Sequence, residues 1–203
     1  MSYPVKNFKI LGLVLARKGS IRLKNKNIKM LGGKRLINIT LDNLKKIKHL
    51  FNNIIVSSDS KIIEYFAKKK GFLFFKRPKK LSTSKISSEE VAINILKKYE
   101  KNFENINYVI LFQVTSPFRK NSTVKKIIKL SKKNPKKQIV TVNNKKDQKP
   151  NGVLYLSPKN ILLKEKSFKS KYFKPYIIKT KKEALDIDTI YDFNLAKNYL
   201  INK

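Results

Sequence analysis

The chain has 203 residues, the size of one domain spanning 1–203, and its 41% hydrophobic content with twelve Phe argues for a packed core and against disorder, so the formal net charge of +35 has to lie on the surface. No cysteine is present, which excludes disulfides, thiolate nucleophiles and Cys-held zinc and leaves oxygen ligands for any metal. The opening MSYPVKNFKI has no apolar stretch of signal-peptide length, and no run of about 18 apolar residues follows, so the expected location is the cytoplasm, with no membrane partner.

Short apolar runs alternate with longer helical patterns along the chain, as a parallel α/β sheet requires. FKILGLVLA (8–16) reads as a buried strand, and KRLINITLDNLKKIKHL (34–50) as a helix with Leu36, Ile39, Leu44 and Ile47 on one broad face. NNIIVSSD (52–59) is a second strand, and SKIIEYFAKKKG (60–71) a helix that starts on a Ser cap and stops at Gly71. FLFFK (72–76) follows as a strand, and SSEEVAINILKKYEKNF (87–103) as a helix whose early glutamates suit its dipole. INYVILFQVTSP (106–117) is a strand running into a turn at Pro117, STVKKIIKLSKK (122–133) a helix, and KQIVTVN (137–143) a strand. NGVLYLS (151–157) and KPYIIK (174–179) are strand-like, and IDTIYDFNLAKNYLIN (187–202) closes the chain as a helix. The expected fold class is α/β: a single-domain, doubly wound three-layer α/β/α sandwich, Rossmann-like, with a mostly parallel sheet and no repeat or linker.

Lysine supplies nearly all the positive charge, in runs such as AKKKG and SKKNPKK spread along the chain. Against it the five arginines, Arg17, Arg22, Arg35, Arg77 and Arg119, stand out, because a guanidinium grips phosphate or carboxylate with a two-pronged fork where an ammonium is a point charge. The single histidine, His49, has no His or Cys partner and reads as a surface or cap residue. In an open parallel sheet, ligands bind beyond the carboxyl ends of the strands, and that is where the polar stretches ARKGSIRLKNKN, SSD and QVTSPFR fall. LARKGSIRLKNKNI (15–28) places Arg17, Lys18, Arg22, Lys24 and Lys26 around one glycine, Gly19, and contains neither a P-loop nor G-x-G-x-x-G. Such a loop can wrap a triphosphate with side chains and backbone N–H groups, or be a basic surface loop. In ALDIDT, Asp186 and Asp188 alternate along an extended stretch, so both carboxylates can face one hard cation or a neighbouring lysine.

Taken together, these stretches resemble the acylneuraminate cytidylyltransferase family, the CMP-sialic acid synthetases and their relatives for other nonulosonic acids. LARKGSIRLKNKNI is similar to that family's A-R-x-G-S-K-[GR]-x-x-x-K-N, IIVSSDS to I-V-S-T-D-[DS], and FKRPKKLST to R-P-x-x-L-[AS]. LFQVTSPFR resembles L-Q-P-T-S-P-[LF]-R, NGVLYL resembles N-G-[AS]-[IL]-Y, and LDIDTIYDFNLA resembles D-I-D-T-x-x-D-[FL]-x-x-A, so the match runs from about residue 8 to 200. The chain departs from the pattern at Ile21, at Val114, at Ser84-Lys85 and in the short KKDQKP (145–150) between VTVNN and NGVLYL.

The resemblance implies the nucleotidyltransferase sandwich and attack of a sugar acid's anomeric hydroxyl on the α-phosphate of CTP, with Mg²⁺ assisting and pyrophosphate released. By motif position, Arg17 and Lys26 would contact the triphosphate, with Lys26 stabilising charge at the α-phosphate. Asn27, Arg77, Ser87 and Ser88 would hold the nucleotide, and the backbone at Leu15 and Ala16 would lie against the cytosine. Gln113, Thr115 and Ser116 would line the border with the sugar acid. Asp186 and Asp188 would bind the metal, Asp188 close to the chemistry, while Asp59 is expected to be structural. The implied partners are CTP and a nonulosonic acid, and the implied assembly is a homodimer. Two other readings stay open here: a relative that binds nucleotide without turnover, and a basic nucleic-acid-binding protein. The second is weakened by lysines spread over nearly every helix and by the lack of an aromatic-interleaved basic motif, so no specific nucleic acid is expected.

Overall fold

The apolar run Ile10–Leu15 forms β1 at the centre of a seven-stranded sheet. Both of its faces are covered, which is why it reads as unbroken apolar sequence rather than as an alternation. The computed structural model describes residues 8–103, 105–146 and 148–201, so the opening stretch up to residue 7, Glu104, Asp147 of the short 145–150 segment and the last two residues lie outside it. After β1 come a two-residue hairpin, β2 (Met30–Leu31) and β3 (Lys34–Arg35), then α1 (Leu36–Lys46), β4 (Asn53–Ser58), α2 (Lys61–Lys69), β5 (Leu73–Lys76), α3 (Ser88–Lys98) and β6 (Tyr108–Phe112). The second half runs through α4 (Asn121–Lys133), β7 (Gln138–Val142), β8 (Pro150–Pro158), α5 (Lys159–Glu165), β9 (Phe173–Ile177), α6 (Lys181–Ala184) and α7 (Ile190–Ile201).

The strand order is β5-β4-β1-β6-β8-β7-β9. β1 pairs in parallel with both β4 and β6, β4 with β5, and β7 with β9, while β8 runs antiparallel between β6 and β7. From β1 the chain winds toward β4 and β5, and from β6 it winds the other way, so β1 and β6 flank the point where the winding reverses. The crevice beyond their carboxyl ends is where such sheets bind ligands. One face of the sheet carries Ile10 and Val14 against Leu41, Ile63, Ile127 and Phe193 from helices, and the other carries Leu11 and Leu13 against Val91, Ile95, Leu162 and Phe168. The expected three layers and mostly parallel sheet are therefore present.

Several boundaries differ from the periodicity. The pattern expected as one helix over 34–50 begins with β3, because Gly32 and Gly33, at φ 55° and 75°, turn the chain into a hairpin. The helix expected over 87–103 ends at Lys98 and the strand expected over 106–117 at Phe112; Gln113 begins a turn in which the Ser116 N–H donates to its carbonyl. Helices α5 and α6, of seven and four residues, are too short to show a helical period and were not expected.

Candidate active site

The loop that leaves β1 is shaped by anchors along its own length. Leu23 is buried, Asn25 takes a left-handed turn at φ 56°, the Asn27 side chain donates to the Arg17 carbonyl at 2.9 Å, and the Lys18 N–H donates to Asp59 Oδ1 at 2.7 Å. Through this bond Asp59, expected as a structural cap after its strand, ties the loop to the end of β4. With its course fixed in this way, the loop turns Lys26 inward. Its Nζ lies 2.8 Å from Asp188 Oδ1, and its side chain is 15% exposed. The Arg22 guanidinium contacts the same carboxylate from the solvent side.

Beside this pair a cavity of about 160 Å³ opens at the reversal point of the sheet. Leu15 lies at the end of β1 and Gln113, Val114 and Thr115 follow β6, while Arg17, Lys26 and Asn27 come from the loop, Arg77 from beyond β5, and Ser87 and Ser88 from the start of α3; Ile86, Val91 and Leu111 give it an apolar wall. Seven of the nucleotide-contact and catalytic residues expected from the sequence, Leu15, Arg17, Lys26, Asn27, Arg77, Ser87 and Ser88, are therefore on one cavity with Gln113 and Thr115, expected at the border with the sugar acid. Two of these carry structural duties as well. Ser87 caps α3, accepting the Glu90 N–H at 3.1 Å while Glu90 accepts the Ser87 N–H at 2.8 Å, and Arg77 donates to the Ser57 carbonyl at 3.0 Å. Burial pulls the Arg77 pKa down to about 10; Asp59 pushes it back up and Arg17 opposes that, so the guanidinium stays charged at neutral pH.

Besides the two aspartates, two expected contact residues do not line the cavity. Ala16 is wholly buried, its N–H given to Ser57 and its carbonyl accepting the Ser58 hydroxyl, so both of its backbone groups are engaged at the end of the sheet. Ser116 is 1% exposed and its hydroxyl lies in the turn beneath Thr115 without a hydrogen-bond partner.

Asp186 and Asp188 enter on the extended segment between α6 and α7. The Ile187 N–H donates to the Thr115 carbonyl at 2.8 Å, which stitches this segment to the turn after β6. Asp192 accepts the Asp188 N–H at 3.0 Å and both the N–H and the hydroxyl of Thr189 at 2.8 Å, fixing the backbone on which Asp188 stands. Asp186 points inward: its Oδ1 is shut off from solvent and has no hydrogen-bond partner. Burial raises its pKa, the Thr115 hydroxyl and Lys26 lower it, and Asp188 and Asp192 raise it further, with a net upward shift. A buried carboxylate oxygen with no partner and a second carboxylate close enough to repel it fit a hard divalent cation. Among the described residues no group of three or more His, Cys, Asp or Glu is placed to hold a metal, so this carboxylate pair is what the acidic side chains would offer one.

Three residues with no assigned role in the sequence reading hold this arrangement together. Arg22 adds a second cation to Asp188. Arg119, wholly buried, donates to the Gln113 carbonyl at 3.1 Å and the Val153 carbonyl at 2.9 Å, tying the turn after β6 to β8. Gly152, at φ 79°, lies so close to Asp186 that a Cβ there would stand 2.5 Å from Oδ2. Both arginines were visible as rare guanidiniums in a lysine-rich chain, and Gly152 as the glycine of NGVLYL; their partners were not.

Similarity to known proteins extends over most of the chain. The signature of a family described as cytidylyltransferase matches residues 11–196. The chain is 31% identical to an N-acylneuraminate cytidylyltransferase of Escherichia coli, over 93% of this chain and 51% of that one, so it spans about half the length of that relative. It is 27% identical to a CMP-N,N'-diacetyllegionaminic acid synthase of Legionella pneumophila, over 95% of this chain and 96% of that one. A cytidylyltransferase structure from Leptospira borgpetersenii superposes with a TM-score of 0.71 at 20% identity, covering 97% of this chain and 88% of that one. A CMP:2-keto-3-deoxy-manno-octonic acid synthetase complexed with CTP does so with a TM-score of 0.70 at 12% identity, covering 96% and 99%. At those identities the two structures speak for the fold.

Proposed function

Because the chain belongs to the cytidylyltransferase family, we propose that it transfers the cytidylyl group of CTP to the anomeric hydroxyl of a nonulosonic, sialic-acid-like sugar acid. The hydroxyl oxygen forms a bond to the α-phosphorus, the bond from that phosphorus to the bridging oxygen of the β-phosphate breaks, and pyrophosphate leaves. The observation that carries the reading is the meeting of Lys26 with Asp188 at 2.8 Å, at the mouth of the cavity that Arg17, Arg77 and Gln113 line. That is the juxtaposition of fixed cation and carboxylate that transfer at phosphorus needs, since such chemistry is mostly positioning and charge neutralisation.

In this reading Lys26 stands against the α-phosphate and the leaving pyrophosphate, held there by the anchored loop. Arg17 meets the triphosphate with its fork, and Asn27 keeps the Arg17 backbone in place. Leu15, Leu111 and the start of α3 at Ser87 and Ser88 enclose the base and ribose. Asp186 and Asp188 would hold a divalent cation, Mg²⁺ in this proposal, which would neutralise phosphate charge and lower the pKa of the attacking hydroxyl. Gln113 and Thr115 border the acceptor. The partners are CTP and the sugar acid rather than a nucleic acid or a membrane, and the assembly is a homodimer. Among the described residues no helix is long and apolar enough to cross a membrane.

The test is pyrophosphate release from each of the four nucleoside triphosphates with Mg²⁺ and a panel of nonulosonic acids. Release with CTP and one or more of the acids is expected. CTP binding without release from any pair would leave a nucleotide-binding relative that does not turn over, and tight, salt-sensitive DNA binding without CTP binding would replace the reading altogether.

A further inference from the structure

Both oxygens of Asp188 are already taken by cations of the chain itself. Lys26 Nζ stands 2.8 Å from Oδ1, and the Arg22 guanidinium contacts Oδ2. These are the oxygens that a hard divalent cation at the Asp186–Asp188 pair needs, so an ion that binds there has to take the place of one of the two. Which one leaves follows from how each is held.

Lys26 is fixed. Its side chain is 15% exposed, its loop is anchored by the buried Leu23 and by the bond from Asn27 to the Arg17 carbonyl, and its charge also acts on Asp186. Arg22 is held by little else. Its side chain is 71% exposed, and among the described residues its guanidinium has no partner besides Asp188. It stands just before the Leu23 anchor, beside Ile21, which also projects into solvent. An ion pair so exposed contributes little to stability, because water screens it and holding a long side chain in one rotamer costs entropy. Arg22 is therefore the cation that moves. A guanidinium binds a phosphate with the same two-pronged fork that it offers a carboxylate, so an ion that arrives on a nucleotide brings the replacement anion with it. An ion that arrives alone displaces Arg22 into solvent and adds a double positive charge beside Lys26 with no anion to offset it.

Resting on the cytidylyltransferase reading, we propose that Arg22 is a positioning residue that stands in for the divalent cation. It occupies Asp188 Oδ2 in the nucleotide-free protein, keeps free metal ions off the carboxylate pair, and gives up the carboxylate when the ion arrives with the nucleotide. The chain thus takes up its metal as the nucleotide complex.

The experiment measures Mn²⁺ binding to the nucleotide-free protein, by the electron paramagnetic resonance signal of the unbound ion, in wild type, R22Q, K24M and R22Q/D188N. Mn²⁺ is the probe because it takes the oxygen ligands that suit hard divalent cations. R22Q should bind it about five- to tenfold more tightly than wild type, because a competing ion pair and a positive charge beside a dication are both removed. K24M removes a charge from the same exposed loop without touching Asp188, so it reports net charge alone and should tighten binding less than about twofold. The gain should vanish in R22Q/D188N. Equal affinity in wild type and R22Q, an equal gain in K24M, or a gain that survives in R22Q/D188N would each overturn the exchange. Pyrophosphate release by the wild type, measured alongside, separates the two levels of the argument. Release from CTP with a sugar acid but no gain in R22Q removes the role of Arg22 alone, whereas no release with any acid removes the cytidylyltransferase reading and the exchange that rests on it.

Discussion

Replacing Gly152 by alanine tests the packing behind Asp186. The new Cβ would stand 2.5 Å from Asp186 Oδ2 and 2.7 Å from its Cγ, closer than non-bonded atoms approach, and Gly152 holds φ 79°, where an L side chain is strained. The backbone term alone is about 1–2 kcal/mol. The clash cannot be relieved without moving the carboxylate, because Ile187 is stitched to Thr115 on one side and Asp192 holds the Asp188–Thr189 backbone on the other. A displacement of about 1 Å at a reacting centre costs on the order of 10²-fold in rate. G152A should therefore lower the melting temperature by roughly 3–8 °C and pyrophosphate release by about 100-fold. Melting by circular dichroism and coupled pyrophosphate release measure the two effects separately. Activity within about twofold of wild type would show that the Asp186 position is not critical, and the argument for that carboxylate would fail.

Lys26→Met should reduce kcat by about 10²–10³-fold with little change in stability, since Arg22 still partners Asp188; wild-type turnover would remove Lys26 from the chemistry. Arg119→Met removes a donor from the Gln113 and Val153 carbonyls and the buried cation nearest Asp186 and Glu183, so urea denaturation should report a loss of about 3–5 kcal/mol. A midpoint unchanged from wild type would mean that water replaces the guanidinium. Glu90 is held below its usual pKa by the Ser87 N–H and hydroxyl. A carboxylate with a lowered folded-state pKa adds stability above its unfolded value of about 4.3, and that increment disappears as pH falls through the folded value. Urea midpoints from about pH 7 down to about pH 3 should therefore fall less steeply in E90Q than in wild type, and superimposable curves would refute the cap's contribution.

The elements legible in the sequence were those whose determinants are local. β1 and β6 are buried on both faces and so are written as apolar runs, and α3 announces itself through its opening serine and two early glutamates. The motif at 15–28 showed which residues to watch, and the rarity of arginine in a lysine-rich chain pointed to Arg22 and Arg119 without saying what they touch. Short elements were lost for the same reason: α6 is one turn, below the length at which a 3.6-residue period can be seen.

What the sequence determined by itself was the α/β alternation, the loop chemistry after β1, the D-I-D spacing and the resemblance, because each depends on residues close together in the chain. Only the tertiary structure decided that β8 runs antiparallel, that Ala16 is sealed into the sheet, that Gly152 makes room for Asp186, and that Lys26 meets Asp188 across 162 positions of sequence. Those outcomes depend on how the crossovers pack the strands side by side, and side-chain periodicity carries no information about which distant segment becomes a neighbour.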